Sequence, residues 1–172
     1  IKAIPKSEYY ARIKKATNLM KKYSVDAIFL SCSTNLRYFV NLDISLSERL
    51  HAAIINKFGD IIYITPAFEK QKTNTMINIS GEIITWEEDE DPAVITMNCF
   101  SQLGISKGTI AIDENTPFFI FEELQNANKN HKFVSAQVIS KNCRQIKSKN
   151  EIKLIQAAMN VAIEVQKSTA RI

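Results

Sequence analysis

CRQIKSKNEIKLIQAAMNVAIEVQKSTARI, residues 143–172, is a helix with a marked start and no marked end. Ser148 followed by Glu151 is a capping box: the serine hydroxyl accepts from a free first-turn N–H, and the glutamate reaches back to the serine N–H. From Ile152 onward neither Pro nor Gly interrupts a run dominated by Lys, Leu, Gln, Ala, Met and Glu, so helical propensity is high. Neither Gly nor Asn follows the last turn, and the final residue, Ile172, is apolar.

At about 100° per residue, Lys153, Gln156, Asn160, Glu164 and Lys167 fall on one narrow polar strip. Ile152, Leu154, Ile155, Ala158, Met159, Val161, Ala162, Ile163 and Val165 fill the rest of the circumference. An ordinary surface helix buries one stripe, whereas so wide an apolar arc requires cover on two sides. A helix wholly buried within this domain is one solution. The expectation preferred here is the other: residues 1–147 form one domain, which covers one side of the helix, and 148–172 begin a helix leading into a second domain.

Composition narrows the class. A chain of 172 residues is one domain of ordinary size, able to bury a hydrophobic core. With 45% hydrophobic and 23% charged residues it reads as globular, and no stretch approaches the roughly 18 apolar residues of a membrane span. The opening IKAIPKSEYYARIKK is too polar for a signal peptide. Cys32, Cys99 and Cys143 are odd in number and far apart, which argues against a disulfide framework or thiolate metal site and fits a reducing cytoplasm. The net charge of +4 is small, and the basic group Lys141, Arg144, Lys147, Lys149 and Lys153 lacks interleaved aromatics, so it reads as a solvated face rather than a nucleic-acid site. The acidic run Glu87 to Asp91 precedes Pro92, which places its carboxylates at a helix N-terminus.

Periodicity gives the architecture. Tyr9, Ile13, Ala16, Met20 and Tyr23 recur at helical steps and lead into VDAIFL (25–30), the continuous apolar run of a buried strand. HAAIIN (51–56) and DIIYIT (60–65) flank Lys57-Phe58-Gly59 as a hairpin. A polar helix is predicted from about Pro66 to Met76, then a strand GEIITW, a helix from Ala93 to Leu103 closed by Gly104, a strand TIAID, a helix opened by Pro117 and a strand KFVSA. Helices alternating with strands around one hairpin specify an α/β fold, a mixed β-sheet with helices on both faces.

Catalytic signals are sparse. His51 and His131 are the only histidines and form no ligand pair at helical spacing. The four glycines, Gly59, Gly81, Gly104 and Gly108, fit neither a phosphate loop nor a dinucleotide fingerprint. The chain alone is expected to catalyse nothing.

Two segments are more specific. STNLRYFVNL (33–42) follows the first buried strand, and CRQIKSKNEIKLIQAA (143–158) opens the last helix. With the hairpin, the TPAFE stretch and the WEEDEDP turn between them, they resemble, in order and over essentially the whole chain, the N-terminal domain of the creatinase, prolidase and aminopeptidase P family. The second segment matches that family's pattern at Arg144, Ile146, Lys147, Ser148, Glu151, Ile152, Ile155 and Ala158. One departure stands out: Asn41 occupies a position where the family usually has Gly.

The resemblance implies that the last helix leads into a C-terminal metallohydrolase domain of pita-bread fold. There two Asp, one His and two Glu would hold two divalent ions, manganese, cobalt or zinc, which activate water and polarise the scissile carbonyl. No cofactor is expected in the present chain. Its implied role is noncatalytic: shaping the pocket of a cytoplasmic Xaa-Pro dipeptidase or aminopeptidase P-like enzyme, whose substrate is a peptide with proline second, and mediating a homodimer. Neither nucleic acid nor membrane is an expected partner. Arg37 falls at a variable pocket-facing position, and Arg49 about where some relatives bind a substrate carboxylate, a task suited to the guanidinium fork. Tyr38 and Phe39 are expected in the core. Two alternatives stay open: a peptide- or protein-binding module of a catalytically dead homologue, as in histone-chaperone subunits, and the N-domain of a creatinase-like non-peptidase hydrolase.

Overall fold

The structure, a computed structural model that describes residues 3–170, is a six-stranded mixed sheet covered on both faces. The strands are β1 (Ala27–Ser31), β2 (Ala52–Asn56), β3 (Ile61–Pro66), β4 (Glu82–Trp86), β5 (Thr109–Ile112) and β6 (Lys132–Ser135), in the order β4-β3-β2-β1-β5-β6. The hairpin β2–β3 and the pair β1–β2 are antiparallel, and the other pairings are parallel. The helices are α1 (Lys6–Lys22), α2 (Thr34–Val40), α3 (Lys70–Met76, entered through a 3-10 turn at Ala67–Glu69), α4 (Pro92–Gln102), α5 (Phe118–Ala127), α6 (Gln137–Arg144) and α7 (Lys149–Thr169).

The period-2 rule sorts the core. Ile28 and Leu30 of β1, Ala53 and Ile55 of β2, and Tyr63 of β3 meet α1, α2 and α6 on one face. Ala27 and Phe29, Ala52 and Ile54, and Ile62 and Ile64 meet α4 and α5 on the other. The hairpin turn follows from Asn56, whose side-chain oxygen accepts from the N–H groups of Phe58, Gly59 and Asp60. Gly59 supplies the positive φ of 98° that this tight turn demands.

Other local signals materialise as hydrogen bonds. Asp91 caps α4 by accepting from Ala93 N and Val94 N, with Pro92 in the first turn and Gly104 at φ 76° beyond its end. The rest of the acidic run does not serve that terminus: Glu90 closes its own turn on Glu87 N, and Glu88 reaches Arg49. Ser33 caps α2 through Asn35 N and Leu36 N, and Asn41 ends it at φ 58°, ψ 24°. Asn41 thus takes the left-handed conformation that glycine would, so the turn survives the substitution.

Two expectations need correction. KFVSA does not run straight to the last helix; α6 intervenes, eight residues without a side-chain cap at its start. For α7 the capping box is present, with Glu151 N to Ser148 Oγ at 3.1 Å and Ser148 N to Glu151 Oε2 at 2.7 Å. Its apolar arc, however, is not buried. Only Asn150, Glu151, Leu154 and Ala157 are half-buried, while Ile152, Met159, Val161 and Val165 are more than half exposed. The body of the domain covers just the first two turns, which overturns the fully buried alternative. The helix can be followed to Thr169; Ile172 lies outside the described residues.

Candidate functional site

Parallel strands β1 and β5 end at the same edge of the sheet, and from there the chain leaves in opposite directions across the sheet order. In open α/β sheets such an edge is where ligands gather. Asp113, the first residue after β5, is buried there and acts as a hub. Its carboxylate accepts from Ser33 Oγ, from Asn35 Nδ2 at 2.8 Å and from Asn115 N at 3.0 Å. Asn35 in turn accepts from Arg144 Nη1 at 2.6 Å. The two motif segments, 109 residues apart at this contact, are therefore stitched through one buried asparagine.

A second set of polar contacts joins α1, α2 and α7. Arg12, buried on α1, donates to the Tyr38 carbonyl at 2.8 Å and to Glu8 at 2.9 Å, and lies 3.3 Å from Glu151. Glu8 also accepts from Ser148 Oγ at 2.7 Å and Asn150 Nδ2 at 2.8 Å, so the start of α7 is bound to α1. Burial raises the Glu8 pKa, but Ser148, Asn150 and Arg12 outweigh it and hold the carboxyl below its usual value. Tyr38 donates its phenol to the Cys143 carbonyl, and burial pushes that phenol up to about 12. Phe39 is fully buried.

Between α2, α6 and the start of α7 lies a cleft of about 690 Å³. Arg37 lines it, 64% exposed and 3.2 Å from Asp43. Arg49 does not. It stands before β2, with its guanidinium on Glu48 at 2.6 Å and Glu88 at 2.9 Å and over the Phe68 ring at 5.4 Å. The fold therefore does not bring the two arginines into one pocket within this chain. Pattern reading did not single out Asp113 or Arg12 as organisers; an acid directly following a buried strand was the available signal for Asp113.

Nucleophilic and metal chemistry are poorly served. Burial pushes the thiols of Cys32 and Cys143 up to about 11 and that of Cys99 to about 12, which leaves them protonated and inert. Among the described residues no three His, Cys, Asp or Glu side chains converge as a metal-ligating group, so these side chains do not fit a metal pair. No described helix is long and apolar enough to cross a membrane.

Comparison with known proteins supplies the context. The chain is 29% identical to an uncharacterized peptidase of Schizosaccharomyces pombe over 93% of its own length, but spans only 37% of that protein. Its fold superimposes on a dipeptidase from Pyrococcus horikoshii OT3 with a TM-score of 0.82 at 24% identity, covering 94% of this chain and 44% of that one. It also covers 98% of the N-terminal domain of an Xaa-Pro dipeptidase from Lactobacillus brevis, using 76% of its own residues, with a TM-score of 0.67 at 14% identity. Residues 12–146 match the family model of the creatinase/prolidase N-terminal domain. With that match spanning most of the chain, and with both motif segments locked together at Asn35, the protein belongs to the creatinase/prolidase N-terminal domain family.

Proposed function

We propose that this chain is the noncatalytic N-terminal domain of a cytoplasmic, metal-dependent Xaa-Pro dipeptidase or aminopeptidase P-like hydrolase. In this reading residues 1–147 shape the substrate pocket and a homodimer interface, and 148–172 carry the chain into the catalytic domain. The observation that carries it is α7, latched to α1 at its capping box and then projecting with its apolar residues uncovered. Such a helix belongs to two bodies, one of which is present. Manganese, cobalt or zinc would be held in that second domain, since the side chains described here do not fit a metal pair.

Within this reading Arg37 is the residue best placed to meet the carboxylate of a proline-containing peptide, being mostly exposed at the end of α2 and paired with a single exposed acid. Arg49 enters the same role only by leaving Glu48 or Glu88. The test uses the full-length protein and this chain side by side on Xaa-Pro dipeptides with each of the three metals. The full-length protein should hydrolyse them and this chain should not. Losing a charged hydrogen bond costs roughly 1.5 to 3 kcal/mol, so Arg37→Ala should raise KM by the corresponding factor with kcat little changed. Hydrolysis by the isolated chain, or a full-length protein that binds peptides without cleaving them, would displace the proposal.

A further inference from the structure

The cleft beside Tyr38 has an unbalanced wall. Lys141, Arg144 and Lys147 line it at intervals of three residues along α6 and the link that follows. The two carboxylates that share the cleft are already engaged. Glu114 accepts from Ser140 Oγ at 2.6 Å, and Glu151 holds Ser148 N and faces Arg12. Among the described residues no acid pairs with any of the three cations. Lys147 donates to the carbonyls of Arg144 and Gln145, which the helix dipole at the end of α6 explains. Among the described residues Lys141 has no such partner, and Arg144 hydrogen-bonds only through Nη1, toward Asn35.

The rest of the lining mixes apolar and aromatic residues with the polar Thr34, Asn41 and Gln145 and with two cations that are already paired, Arg12 with Glu8 and Arg37 with Asp43. The Tyr38 ring carries Arg12 at 4.1 Å and Arg144 at 5.9 Å from its centre, and its hydroxyl is turned away onto the Cys143 carbonyl. Ile4, Leu154 and Ile155 supply apolar surface. Cations gathered in a concave wall of low polarity focus a positive potential, and an anion relieves their repulsion. At about 690 Å³ the space lies within the usual range for small-molecule sites.

We infer that this cleft is a binding site for a small organic anion that carries two negative charges beside an apolar body. The free face of Arg144 offers a planar fork to a carboxylate or phosphate, Lys141 and Lys147 add point charges, and the apolar residues take the body of the ligand. The anion contacts fall to Lys141, Arg144 and Lys147, none of which the peptidase reading uses.

The test is an NMR titration of the intact 172-residue chain with inorganic phosphate, phenyl phosphate and phenylsuccinate. At least one of the two organic anions should saturate shifts at Lys141, Arg144, Leu154 and Ile155, and bind more tightly than phosphate alone. Which of the two binds better distinguishes a phosphate from a dicarboxylate ligand. Affinity should fall as salt is raised. Lys141 and Lys147 are exposed, so Lys141→Glu combined with Lys147→Gln should keep the melting temperature and weaken binding by about tenfold or more. Absence of saturation up to about 10 mM, or unchanged affinity in the double variant, would overturn the inference. Because no peptide hydrolysis is measured, failure here would leave the proposed function standing.

Discussion

At Asn41 the backbone sits at φ 58°, a conformation that costs most L-residues about 1–2 kcal/mol. Asn tolerates it better, and this one also accepts a 2.7 Å hydrogen bond from the Tyr9 hydroxyl. Asn41→Gly should therefore be close to neutral, since the freedom of glycine offsets the lost bond, whereas Asn41→Ala should lose roughly 1–2 kcal/mol in chemical denaturation. His51 makes a different prediction. It is buried, neither ring nitrogen has a hydrogen-bond partner among the described residues, and Glu69 lies 3.6 Å from Nε2. Burial lowers its pKa below the ordinary 6.5; the Glu69 carboxylate pulls it back and Lys72 opposes that pull, with a net lowering. The unfolded chain then binds more protons than the folded one below that pH, so the stability is whole above about 6.5 and declines as pH falls. Melting temperature should drop between about pH 7 and 5, and His51→Phe should flatten part of that slope, the remainder belonging to His131, which is lowered by burial in the same way.

At the level of elements, what could be read from the sequence was whatever carried a local signal. Continuous apolar runs gave β1 and β3, turn chemistry at Asn56 and Gly59 gave the hairpin, and Ser148 with Glu151 gave the start of α7. Helix α6 carried no such signal: it is short, lacks a side-chain cap and follows β6 after a single residue. The cover of α7 was legible only in part, because a sequence shows that an apolar arc needs burial but not how much of it this domain provides. That arc has a measurable consequence. A helix without packing depends on propensity alone and frays, so amides beyond Ala158 should exchange within the fastest class of the chain while those near the capping box are protected. Ser148→Ala removes both the cap and a Glu8 contact, and should cost about 1–2 kcal/mol and extend rapid exchange into the first turn of α7. Unaltered exchange there would mean that the latch to α1 contributes nothing to holding the helix.

Over the whole molecule, the site was legible as motifs but not as geometry. Arg37 and Arg49 could be named from their places in the chain, yet their separation follows from α2 and the β2–β4 corner, which only the sheet order determines. Asp113 draws Ser33 and Asn35 together across 80 and 78 residues, a relation that no local pattern encodes. The same sheet order governs cooperativity. Strand β1 lies between β2 and β5 and sends Leu30 into one core and Phe29 into the other. The two cores therefore share a backbone, and neither can open without disturbing the hydrogen bonds that serve both. Leu30→Ala, on the α1 face, should cost about 2–5 kcal/mol. Trp86 reports from the opposite core, at the end of edge strand β4, with its indole N–H on the Leu50 carbonyl at 3.0 Å. If the sheet couples the cores, the Trp86 fluorescence midpoint should move in step with far-UV circular dichroism in Leu30→Ala, as a single transition. A fluorescence midpoint that stays in place while the dichroism shifts would instead show the two faces unfolding independently.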